Sequence, residues 1–187
     1  MKRQLLALLL GAALTGTVTG CGSDDSPGIA SETTASSTTE STRALPNPCD
    51  LPEQKVTASD LITTDRITHP VGSEFAGWKG CIWKSRAGWY DAGVYVGPMT
   101  VAEFRKDSRF GDYTAVAPTT VASKPGTDFA DRLDPDRRER CYIAADMSYG
   151  MVWFMARIPY VRDGEQAPGD PCVEVRRISA ELVDQMG

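Results

Sequence analysis

Histidine is almost absent, with His69 the single one in 187 residues. It directly precedes Pro70 in a predicted loop, so a histidine-dependent triad would rest on a surface position. Neither a G-x-S-x-G elbow nor an S-x-x-K pair accompanies it. Cys-x-x-Cys spacing is missing too, which excludes thioredoxin-like redox chemistry and the knuckles of a zinc ribbon. One histidine and no spare thiol leave only carboxylates around a metal, a poor first shell for zinc, so no metal and no cofactor is expected. Basic charge is short: 20 Lys+Arg against 25 Asp+Glu give a net −5. That sign argues against nucleic acid and against a peripheral hold on anionic lipid. The apolar run at residues 5–14 falls short of the roughly 20 residues that span a bilayer, and Gly11, Thr15, Gly16, Thr17 and Thr19 dilute its surroundings.

What is present begins at that run. Met1-Lys2-Arg3 followed by the apolar stretch reads as a secretory signal over residues 1–20. Val18-Thr19-Gly20-Cys21 places a small residue directly before a cysteine at the expected cut and resembles the bacterial lipobox. By that resemblance Cys21 opens the mature chain, carrying a diacylglyceryl thioether and an acylated amine, with palmitate the expected acyl group. The alternative, an ordinary signal ending near a free thiol, leaves an exposed unpaired cysteine in an oxidising compartment. Cleavage removes Lys2 and Arg3 and leaves 18 basic against 25 acidic residues, a net −7. From 22 to 46 the composition turns to Ser, Thr, Asp and Glu, with Ile29 and Leu45 the only large apolar side chains. Such a segment buries too little to fold. It reads as a tether of reach about 25 to 30 Å. A lipid-anchored protein on the extracytoplasmic face of the cell membrane is therefore expected, with one monomeric domain over 47–187.

Apart from Cys21 there are four cysteines, Cys49, Cys81, Cys141 and Cys172. An even number in an exported chain reads as two disulfides, with three pairings open. Thr57-Ala58-Ser59-Asp60 reads as the start of a first helix that carries Leu61 and Ile62 inward and stops before His69-Pro70. Residues 80–85 and 91–97 form a predicted hairpin about Arg86-Ala87-Gly88. Thr100-Val101-Ala102-Glu103 is a capping box opening a second helix that ends near Phe110-Gly111. One or two short strands broken by Pro118 are expected in 113–123, and a polar loop from 124 to 140. Residues 141–147 and 151–157 form a second hairpin, the most apolar of the chain and so central. Asp170-Pro171 opens a final amphipathic helix with Cys172, Val175, Ser179, Leu182 and Met186 on its inner face. The order gives an α+β fold, a mostly antiparallel sheet with helices packed on it. Sequential pairing, Cys49–Cys81 and Cys141–Cys172, would join each of two helix starts to the sheet.

Three groups carry possible chemistry. Asp128, Asp131, Asp134 and Asp136 supply oxygen of the kind calcium takes, but Arg132, Arg137, Arg138 and Arg140 stand among them, so a self-paired loop is expected. Trp83, two residues from Cys81, shares its strand face and should pack on the disulfide. Trp78 and Trp89 flank that strand, where exposed indoles often contact a ligand or partner, with burial in the core as the alternative.

Asn47-Pro48-Cys49-Asp50-Leu51 after a Ser/Thr tether, Cys81-Ile82-Trp83, and Asp170-Pro171-Cys172 opening the last helix together resemble the DUF3558 family of actinobacterial lipoproteins. The resemblance spans roughly 46–187. The family has no assigned activity, so it implies envelope location and fold. A more distant fold-level likeness, in the two-disulfide frame, is to the sensor domains of mycobacterial receptor kinases. The expected function is a non-enzymatic binding or sensing module for an envelope ligand or protein. The competing expectations are an envelope hydrolase with a carboxylate site and an accessory subunit of an envelope complex.

Overall fold

Seven strands in the spatial order β1-β2-β3-β7-β6-β5-β4 form one antiparallel sheet. They are β1 Leu61–Ile67, β2 Lys79–Ser85, β3 Asp91–Gly97, β4 Tyr113–Val121, β5 Lys124–Asp131, β6 Arg140–Met147 and β7 Gly150–Arg157. A computed structural model describes residues 44–68, 75–159 and 168–187, all within one compact unit, 40–187. Two meanders, β1 to β3 and β4 to β7, meet where β3 pairs with β7. The predicted central hairpin is indeed β6 and β7.

Period-two alternation on these strands makes two cores. On one face, Trp83, Val94, Val96, Ile143, Val152 and Phe154 pack with both disulfides and with Val175, Ile178 and Leu182 of α3, Pro171–Leu182. Those three side chains stabilise the helix on the sheet by about 1.5 to 3 kcal/mol each. Asp170 caps α3 by accepting from the Cys172 amide at 2.7 Å, and Pro171 takes the first position. This is the helical face. The disulfides are Cys49–Cys81 and Cys141–Cys172, the sequential pairing. Trp83 is buried in the cluster that holds the first of them.

The opposite, aromatic face gathers Phe75, Trp78, Tyr95, Phe104, Phe110, Phe129, Tyr142 and Trp153. Its cover is the crossing from β3 to the far edge of the sheet: α2, Val101–Phe104, then a 3-10 turn at Ser108–Phe110. The capping box of α2 is formed, Glu103 accepting from the Thr100 amide at 2.7 Å and Thr100 Oγ1 from the Glu103 amide at 3.2 Å. Asp146 of β6 accepts from the Val101 amide at 2.7 Å and ties α2 to the sheet.

Two predicted elements differ in extent, α2 ending at Phe104 and β4 running unbroken through Pro118, and two more are corrected outright. The first helix, α1, is Glu53–Ala58 and precedes the signal taken for its start. Asp60 adopts φ 60°, the left-handed conformation that ends helices. After it Ile62, Thr63, Thr64 and Ile67, β-branched and stiff at χ1, extend as edge strand β1. The predicted loop from 124 onward is largely β5. It returns from β4 by a two-residue turn, Val121 pairing with Lys124, in which Ala122 holds φ 52° without glycine or asparagine. Pro118 sits in β4, the other edge, where its missing N–H costs no ladder bond.

Candidate functional site

A row of charge crosses one end of the aromatic face. Lys84 of β2 is in register with Asp91 of β3, Asp91 with Arg157 of β7, and Arg157 with Arg140 of β6. Asp131 of β5 closes the row by accepting from Arg140 Nη1 at 3.1 Å and from the Tyr142 hydroxyl at 2.9 Å. Like charges directly opposite across strands repel. Here each arginine of the central pair has a buried carboxylate on its outer side, Asp91 at 5% and Asp131 at 7% exposure. Burial pulls the Arg140 pKa down, but Asp131 and Tyr142 outweigh it, and the net shift is upward.

Inward of this row lies a cavity of about 370 Å³. Tyr95, Tyr142, Trp153 and Met155 form its buried floor, and Arg140, Arg157 and Tyr113, half-buried, line its mouth with Phe75, Ile158 and Pro159. No carboxylate is among the described residues lining it. Burial raises the Tyr95 phenol to about 12, opposed by Arg157 and assisted by Asp91. Burial and then Asp131 push the Tyr142 phenol up further, so both rings are neutral at physiological pH. Arg157 donates to Asp91 at 3.4 Å, while its buried Nε has no hydrogen-bond partner among the described residues.

A second hollow, about 420 Å³, lies on the helical face between α1 and β1, lined by Leu51, Glu53, Val56, Thr63, Arg66 and Trp83 among others. It is larger, but its charged groups are already engaged. Thr63 donates to Glu53 at 3.0 Å and Arg66 to the Cys49 carbonyl at 3.3 Å. The aromatic-face cavity is the better candidate because two guanidinium side chains line it over an apolar floor.

The predicted indole contacts are placed differently. Trp78, at 6% exposure, is a core ring and not a surface platform. It packs edge-on to Phe75 and Phe104 and lies over Gly97, where a Cβ would come within 2.4 Å of the ring. Trp89 is half-buried against the helical-face core and covers Gly169, just before α3. Neither lines the candidate cavity. His69, Cys21 and residues 21–43 of the expected tether lie outside the described residues.

The aspartates of β5 and of the turn after it are tied to arginines and amides. Asp128 takes Arg176 at 2.8 Å and Arg137 at 3.4 Å, and Asp134 accepts from the amides of Arg138, Glu139 and Arg140. Among the described residues no group of three or more His, Cys, Asp or Glu is placed to hold a metal ion, and no helix is long and apolar enough to cross a membrane. Sequence reasoning took Arg140 only as a counter-charge to the aspartates, which it is for Asp131, and passed over Tyr142, Met155 and Arg157. Their two-residue spacing on β6 and β7 was the available signal, because it puts each arginine on the face of the neighbouring ring or thioether.

Fold and site together define a disulfide-stapled α+β domain with a ring-floored, arginine-rimmed cavity. The model of the family described as Protein of unknown function (DUF3558) matches residues 16–185, and the chain belongs to that family. The match starts well before residue 46 and takes in Cys21 and the Ser/Thr-rich stretch. No curated protein and no solved structure matches the chain.

Proposed function

We propose that this is an exported lipoprotein, anchored through Cys21 to the extracytoplasmic face of a bacterial cell membrane, whose domain binds a small molecule without turning it over. The observation that carries the binding reading is the aromatic-face cavity, whose volume of about 370 Å³ falls within the usual range for small-molecule sites. Its floor supplies apolar contact and its mouth supplies donors. A hydrolase with a carboxylate site is less well supported. The nearest acids, Asp91 and Asp131, are held apart by β7 and β6 and are each bound to an arginine. The anchoring reading is supported by Gly20-Cys21 after the apolar run, by a family match that includes that cysteine, and by two disulfides, which persist outside the reducing cytoplasm.

One fractionation experiment tests both parts. Wild-type protein is expected in the membrane fraction, and Cys21→Ser in the soluble exported fraction or unprocessed. A variant that remains membrane-bound and normally processed removes the anchor. Wild-type protein incubated with a solvent extract of its own envelope should bind a molecule that is later released with unchanged mass. A released molecule of altered mass overturns the non-enzymatic reading.

A further inference from the structure

We infer that the cavity selects an anion: a small molecule with one carboxylate or phosphate group on an apolar, ring-bearing body, its oxyanion held by Arg157 and Arg140. This rests on the binding reading above and adds the chemical class of the ligand. Three observations on the aromatic face converge on it.

The first is the charge arrangement. Arg140 and Arg157 are cross-strand partners, and both line the cavity, whereas the carboxylates that balance them do not. The cavity side of the row is thus positive, and the row as a whole, three cations against two carboxylates, carries +1. The second is the state of Arg157. Its contact with Asp91, at 3.4 Å, is longer than the 3.1 Å of Arg140 with Asp131 or the 2.8 Å of Arg176 with Asp128. A buried guanidinium Nε without an acceptor is costly. An oxyanion seated where Arg157 lines the cavity would give this guanidinium a second, charge-assisted acceptor of the kind arginine takes from carboxylates and phosphates. The third is the floor. Trp153, Tyr95 and Met155 are buried apolar surface directly inward of the guanidinia. They would receive a ring while excluding water from the ion pair, which strengthens it.

A purely structural use of the pair predicts a second acceptor on Arg157, as Arg176 on the helical face has in Asp128 at 2.8 Å and the Cys172 carbonyl at 3.4 Å.

The test is calorimetry on the full lipidated chain in phosphatidylcholine nanodiscs with four probes that share one ring system: naphthylacetate, naphthyl phosphate, naphthylethanol and naphthylethylamine. The expected result is that one or both anions bind at least about ten-fold more tightly than the alcohol, and that the amine binds weakest. Arg157→Met should reduce anion affinity to that of the alcohol and leave the alcohol unchanged, with Arg157→Lys restoring part of the difference. The fold should tolerate these changes, since Asp91 keeps Lys84 at 3.4 Å. Arg140→Met is a second variant in which Asp131 keeps Tyr142 and the amides of Leu133 and Asp134. An alcohol that binds as well as the anions, or an anion preference intact in both variants, overturns the anion inference and leaves the binding module standing. If none of the four probes binds, the cavity fails as a ligand site and the proposed function fails with it. Chemical conversion of a bound anion would sink the non-enzymatic reading alone.

Discussion

On the helical face of the sheet a helix of 12 residues lies along an aliphatic surface, and two disulfides fasten that side, one of them at the first turn of the helix. On the aromatic face the cover is a helix of 4 residues, a 3-10 turn of 3 and the segment around Phe75. A long amphipathic helix presents a continuous stripe, so Val175, Ile178 and Leu182 fill the layer against the sheet together with Trp83 and Phe154. Two short turns present isolated points, and only large rings bridge between them. Phe104 stacks on Phe110 at 4.2 Å and leans on Trp153 at 4.7 Å, and Trp153 in turn meets Phe129 at 4.9 Å. The gap left at the charged end of this face is the candidate site, while the helical face is stapled where it would otherwise part.

The largest expected difference between the faces lies in their covalent support. Replacing all four paired cysteines by alanine should cost about 3 to 4 kcal/mol per bridge in the chain-entropy model, and together these approach the whole stability of a small domain. Chemical denaturation of the variant and of the reduced wild type should agree. A variant that unfolds within about 2 kcal/mol of wild type would show that the helical face holds without its staples.

Next in size is the loss of the ring at the centre of the other face. Trp153 is 1% exposed and in ring contact with Phe104, Tyr113, Phe129 and Tyr142. Trp153→Ala should cost about 3 to 5 kcal/mol by lost transfer energy and a residual cavity. The disulfides should still form, as free-thiol titration would reveal. Exposed thiols in that variant would mean that the two faces fold as one unit and that the comparison is only topological.

The smallest effect is alkaline. Tyr90 on the helical face and Tyr95 on the aromatic face both have phenols raised to about 12, burial being the main cause. Above the ordinary tyrosine value near 10 the unfolded chain loses those protons while the folded chain keeps them. Their stabilising contribution is therefore complete below about pH 10 and is lost as pH rises toward 12. A shift of this size at Tyr95 corresponds to about 2 to 3 kcal/mol. Thermal unfolding followed across this range with tyrosinate absorbance should fall with pH, and Tyr95→Phe should flatten the fall. An unchanged slope in that variant would mean that the buried ring is not coupled to unfolding there.

Much of this architecture is legible in local signals. The Thr100 capping box, the Asp170-Pro171 start and the glycine-bearing turns act within a few residues, and the near-continuous apolar runs 141–147 and 151–157 mark buried strands whatever surrounds them. The errors arise where local and tertiary terms compete. Thr57-Ala58-Ser59-Asp60 has the chemistry of a helix start, yet Asp60 in the left-handed region turns it into a helix end. Residues 124–131 are polar enough for a loop, but Asp128 and Asp131 are buried because Arg176 and Arg140 reach them from α3 and β6. Such partners lie up to 48 positions away and cannot be paired before the sheet order is known. The same holds for the cavity, whose walls come from β3, β4, β6 and β7, so that its arginines become neighbours only through pairing.

The Cys49–Cys81 bridge has a mechanical consequence. Tension arriving along the chain from before residue 49 reaches a covalent fork at Cys49 and passes straight to β2. The intervening α1 and β1 are bypassed and bear none of the load. From β2 the force spreads into β3 and β7 through ladders of hydrogen bonds, and these are strands that floor the cavity. A molecule held there and an anchor at the other end of the chain would thus be joined by the stiffest route the domain contains, with its outermost elements spared from unravelling under a pull.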